Sequence, residues 1–62
     1  MEEKKAQKLF IQIQVYYNEF EENHNKFIEK GNKSAAARAR KALGEIKKLV
    51  TGYRKENLNE IA

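Results

Sequence analysis

Apolar and aromatic side chains recur along this chain at alternating steps of three and four. In the first half the series is Phe10, Ile13, Tyr17, Phe20, His24 and Phe27; in the second it is Ala36, Ala39, Leu43, Ile46, Val50 and Tyr53. Such steps place every member on one face of an α-helix. The only punctuation between the two series is Gly31-Asn32, followed by Lys33-Ser34. A glycine just past a periodic run suits the left-handed position that ends a helix. Asn32 or Ser34 can then cap the free N–H groups of the next helix. The pattern predicts helix 1 over about 3–30, a turn at 31–33 and helix 2 over about 34–59, each about 40 Å long at 1.5 Å per residue. So short a connection favours an antiparallel helical hairpin. Folded at the turn, the two series meet in order: Phe27 opposite Ala36, His24 opposite Ala39, Phe20 opposite Leu43, Tyr17 opposite Ile46, Ile13 opposite Val50 and Phe10 opposite Tyr53. Bulky residues face small ones beside the turn, which lets two helices approach closely.

One face per helix does not use up the apolar residues. Leu9 and Tyr16 flank the first series, and Ala35, Ala42 and Leu49 flank the second, both toward the same lip of the hairpin. Ile11 and Val15 fall near the back of helix 1, and Leu58 and Ile61 extend the far end. A lone hairpin would leave much of this surface wet, so the pattern predicts a homodimer forming a four-helix arrangement.

Composition narrows the class. A chain of 62 residues forms one domain, here 1–62, and buries a small fraction of its surface unaided. With no Cys, neither disulfides nor thiolate metal sites can staple it, and with no Pro and three Gly little interrupts a helix. Lys, Glu, Ala, Leu, Gln and Arg, the strong helix formers, dominate outside the core positions. The fold class is therefore all-α. Apolar runs reach three residues, as in Leu9-Phe10-Ile11 and Val15-Tyr16-Tyr17, too short for a membrane span or a secretory signal. The expected setting is the cytosol.

Charge is unevenly placed. Residues 1–32 carry five Lys and six Glu, whereas residues 33–62 carry eight Lys or Arg and three Glu. Between Lys33 and Lys55 the single acid is Glu45. Asymmetry of this kind suggests a polyanionic partner for the second half. On helix 2, Arg40, Lys41, Lys47, Lys48, Arg54 and Lys55 cluster opposite the apolar series, with Ala37, Gly44, Thr51 and Gly52 expected between them. A glycine inside a helix costs about 1 kcal/mol against alanine, and a flat strip edged by long cations would let a phosphate backbone come close. No Asn or Gln for reading adenine stands at the centre of that face, so the contact would be electrostatic and tolerant of sequence. Five of the six aromatic residues, all but Tyr16, fall on the predicted seam and are expected in the core.

The run Gly31-Asn32-Lys33-Ser34-Ala35-Ala36-Ala37-Arg38-Ala39-Arg40-Lys41-Ala42, continuing through Glu45-Ile46-Lys47-Lys48-Leu49 to Tyr53-Arg54-Lys55, resembles the small linker-histone-like nucleoid proteins of Bacteroidota. That family carries a GNKxAAxRARKA core, then E-[IL]-x-K-L and an aromatic-Arg-Lys. The match covers residues 31–55, with residues 1–30 agreeing as an amphipathic helix. The resemblance implies a sequence-nonspecific DNA-binding protein of the bacterial nucleoid. It carries that role onto Lys33, Arg38, Arg40, Lys41, Lys47, Lys48, Arg54 and Lys55.

Other classes have less to stand on. A protein-interaction or structural module with a solvated basic face is the main rival, its cations docking an acidic partner. Glu21-x-x-His24 has the spacing of carboxylate-bridged metal bundles, but Arg38 and Arg40 nearby disfavour a metal, and no metal or other cofactor is expected. No nucleophile–base pair or phosphate-cradling glycine loop points to an enzyme or a small-molecule substrate. A membrane-surface role would require the apolar face to leave its partner helix.

Overall fold

Two helices, α1 (Lys5–Lys30) and α2 (Lys33–Ile61), are packed against each other as a hairpin in the computed structural model, which describes residues 4–61. The expected start of helix 1 at residue 3 lies outside the described residues. Gly31 takes the left-handed conformation, φ 61°, and its N–H donates to the Phe27 carbonyl at 2.8 Å. This is the single-bond left-handed helix stop, for which a residue without Cβ is favoured. Of the two candidate caps the structure uses Asn32: its Oδ1 accepts from the Ala35 N–H at 3.0 Å, and its carbonyl accepts from the Ala36 N–H at 3.1 Å. The turn is therefore two residues long, and Lys33 opens α2.

The far end is closed by a contact between the helices. Lys4, the residue before α1, offers no side-chain cap. Instead Glu60, in the last turn of α2, accepts from the Ala6 N–H at 3.0 Å. A carboxylate there meets a free backbone donor and the positive end of the α1 dipole together. The antiparallel arrangement makes this pairing available.

The hairpin interface is rotated from the predicted seam. Each helix carries three adjacent apolar rows at seven-residue intervals. On α1 the middle row holds Ile13 and Phe20; on α2 it holds Ala39, Ile46 and Tyr53, and these rows do face the partner helix. The second buried row is the one expected to flank: Leu9, Tyr16 and Asn23 on α1, with Ala35, Ala42 and Leu49 on α2. The other outer row stays in solvent. Phe10 and Tyr17 are each 50 % exposed and Leu43 47 %, and His24 and Val50 are exposed as well; Phe27, the turn-end member of the middle row, is also exposed. Two helices in contact cover about two rows each, so a three-row face must leave one uncovered. The pair that turns inward on α2 carries Ala35 and Ala42, which are 0 % and 2 % exposed, and small residues let the backbones come closest.

Across this contact Asn23 forms a polar clasp near the turn. Its side-chain amide donates to the Glu19 carbonyl at 2.9 Å, and its Oδ1 accepts from the Arg38 Nε at 2.8 Å. Among the described residues, the buried apolar side chains are Ala35, Ala39 and Ala42, and no bulky one is fully buried. The hairpin measures 47 × 21 × 12 Å, so its thinnest dimension is about one helix diameter. It is a single layer.

Candidate nucleic-acid interface

Helical geometry sorts the cations of α2 into two rows. Lys33, Arg40, Lys47 and Arg54 recur every seven residues along one line; Lys41, Lys48 and Lys55 do so along the next. All seven are exposed. Seven residues advance about 10.5 Å, so each row spaces its charges evenly along most of α2. Between the rows run Ala37, Gly44 and Thr51, also exposed. A Cβ placed on Gly44 would meet nothing within 4 Å. The strip between the cation rows is thus low and open. The first cation row directly borders the uncovered apolar row of Ala36, Leu43 and Val50.

Two residues depart from the expected arrangement. Gly52 does not belong to the open strip: a Cβ there would lie 3.8 and 3.9 Å from the two methyl carbons of Leu9, so Gly52 faces α1 at the far end of the hairpin. Its place on the basic face is corrected accordingly, because it stands one step round the helix from Lys48 and Lys55, toward the partner helix. Arg38 stands off both rows, on the opposite lip, with its Nε committed to Asn23. The residue as a whole remains exposed.

Cations outside α2 join the far end. Lys5 and Lys8 of α1 line one shallow hollow with Leu9, Gly52, Lys55 and Glu56. The hairpin therefore brings Lys5, Lys8 and Lys55 together, although they lie about fifty residues apart in sequence. Folding the chain at Gly31 sets residues 5–8 level with residues 53–58, so the signal for this cluster lay in the pairing of the helices rather than in any motif. Acids add little counter-charge on the α2 face. Glu45 approaches Lys48 at 3.8 Å, with the lysine side chain 77 % exposed. Such an exposed pair contributes about 0–1 kcal/mol, and leaves Lys48 able to swing to another anion.

Of the five aromatic residues expected in the core, Phe20 and Tyr53 are half-buried toward the partner helix, whereas Phe10, Tyr17 and Phe27 are exposed, and Tyr16, expected outside it, is half-buried. Tyr17, Phe20 and His24 form a stepped row, Phe20 lying 6.2 Å from Tyr17 and 5.8 Å from His24 between ring centres. The Phe20 and His24 rings are within 29° of parallel. His24, expected opposite Ala39 in the core, is instead exposed beside Phe20 because its row is the uncovered one. Among the described residues no group of three or more His, Cys, Asp or Glu side chains converges as a metal site, and no helix is long and apolar enough to cross a membrane.

Comparison with known proteins places this geometry in context. A family model described as Histone H1-like protein Hc1 matches residues 7–61, taking in nearly all of both helices and every cation of the two rows. No curated protein and no solved structure matches the chain.

Proposed function

The chain belongs to the family of histone H1-like proteins of the Hc1 type, a non-enzymatic DNA-binding class, and from that premise we propose that it binds DNA through the two cation rows of α2, without reading sequence. The observation that carries this is the open strip between the rows: Lys33, Arg40, Lys47 and Arg54 on one side, Lys41, Lys48 and Lys55 on the other, with Gly44 bare between them. Long cations on two edges of a low strip can hold a phosphate backbone along the helix, each contact releasing condensed counterions. The strip offers Ala, Gly and Thr, none of which pairs bidentately with a base edge, so the phosphates position the protein and the bases go unread. Lys5 and Lys8 extend the path at the far end, and Arg38 adds a charge at its margin.

This reading places the protein on the bacterial nucleoid in the cytoplasm, as a homodimer. The test is an NMR titration with a short duplex of random sequence. Amide shifts concentrated at residues 33–55 of α2, unchanged when the duplex sequence is changed, support it. Shifts confined to the exposed aromatic row of α1, or equal affinity for heparin and for an acidic peptide with no preference for duplex, would replace it with the interaction-module reading.

A further inference from the structure

The uncovered apolar row is the feature that the basic strip leaves unexplained. Phe10, Tyr17 and His24 on α1, with Leu43 and Val50 on α2, form one continuous face along a slab 12 Å thick. Domains are built from at least two packed layers, and this hairpin supplies one. Its three buried alanines cannot match what a second layer against five larger side chains would bury. We infer that the second layer is a second copy of the chain, packed with both turns at the same end, so that α1 of each copy lies over α2 of the other. This deepens the dimer in the proposed function and rests on that reading for the DNA it holds.

Two observations choose this arrangement over the alternative, in which like helices stack with the turns at opposite ends. Size is the first. With the turns together, His24 of one copy sits over Ala36 and Leu43 of the other, large against small at the turn end. With the turns apart, Phe10 would meet His24 and Tyr17 its own counterpart, while Ala36 would meet Val50, crowding one half and leaving gaps in the other. Charge is the second. The apolar face is bordered on α2 by Lys33, Arg40, Lys47 and Arg54, and on α1 by Gln7, Gln14, Glu21 and Ile28. Turns together set the cation border against the neutral and acidic one, with Glu21 level with Arg40 of the second copy. Turns apart would set cation row against cation row, Lys47 beside its own counterpart, a like-charge contact that costs stability.

The arrangement has a functional consequence. With α1 over α2 of the other copy, the two α2 helices occupy diagonal corners of the four-helix bundle. Their cation strips then point in opposite directions, and one dimer can hold two duplexes, one on each side. Stacking of like helices would instead put both strips on one side, facing a single duplex.

The experiment uses the full chain without DNA. Sedimentation velocity gives the state of the unmodified protein, with a dimer expected. Chains carrying Glu21→Cys and chains carrying Arg40→Cys are mixed and treated with a short bismaleimide, and Lys47→Cys is treated alone. A mixed 21–40 product, with no Lys47 self-product, is expected. A Lys47 self-product without the mixed one would overturn the arrangement while leaving the dimer standing. A monomer at high micromolar concentration would overturn both, and neither result bears on whether the monomer strip binds DNA. In the presence of DNA, a duplex fixed to beads should retain a second, labelled duplex through the wild-type protein. Retention no greater than without protein, from a protein that still binds the fixed duplex, would overturn the two-sided placement of the strips.

Discussion

At the scale of single residues, two polar contacts fix how the helices sit. Glu60 closes the open end by accepting from the Ala6 N–H, the role a Ser or Asp cap would play if Lys4 were one. Glu60→Ala should therefore cost about 1 kcal/mol, the usual worth of a helix cap, and Glu60→Gln less, since an amide oxygen still accepts. Faster hydrogen exchange at the Ala6 amide in the Ala variant, with exchange near the turn unchanged, would confirm where the loss lies. Asn23 works at the other end. It is 6 % exposed, and both ends of its amide are paired, to Glu19 and to Arg38. Asn23→Ala removes a partner from each, and urea unfolding should register a loss of about 1 kcal/mol. Arg38→Lys should lose a comparable part, because a lysine ammonium cannot reproduce the directed Nε bond. An Arg38→Lys protein as stable as wild type would show that the clasp carries no energy.

At the scale of the helices, the glycines test how each face is used. Both Gly44 and Gly52 lie inside α2, where alanine is favoured by about 1 kcal/mol. Gly44→Ala adds a methyl in open space, and Gly52→Ala adds one at ordinary van der Waals distance from Leu9. Each should raise the melting temperature, by about 4–8 °C per kcal/mol for a chain this small; a fall for Gly52→Ala would mean that Leu9 cannot yield. Gly31→Ala should do the opposite, since φ 61° strains any residue with a Cβ. The hairpin itself, its turn and the stop at Gly31 were legible in the sequence, because a glycine between two periodic runs has one good structural use. The facing rows were not. Steps of three and four are satisfied equally by Leu9-Ile13-Tyr16-Phe20 and by Ile13-Tyr17-Phe20-His24, which share Ile13 and Phe20. What decided between them was the close approach allowed by Ala35 and Ala42 and the Asn23–Arg38 bond, and spacing encodes neither. The cations of α2 were legible as a basic face, whereas the separation of Arg38 and Gly52 from it followed from that same rotation.

At the scale of the whole molecule, salt dependence measures how many phosphates the strip engages. Seven exposed cations stand in the two rows, but a straight helix and a curved backbone cannot meet everywhere, and about four neutralised phosphates per subunit give a slope of log K against log salt near −3.6, at about 0.9 per phosphate. Strips that point apart keep that value for each duplex, since one duplex touches one strip; strips on a common side would approach twice it. Lys47→Gln with Lys48→Gln removes one cation from each row at the middle of the path. Both side chains are exposed, so helical content by circular dichroism and sedimentation behaviour should stay as in wild type. The slope should become shallower by up to about 2, with affinity falling alike for duplexes of every sequence because no base contact is lost. If the double variant binds as tightly as wild type with an unchanged slope, the cations of α2 meet water rather than phosphate, and the interaction-module reading replaces the DNA-binding one.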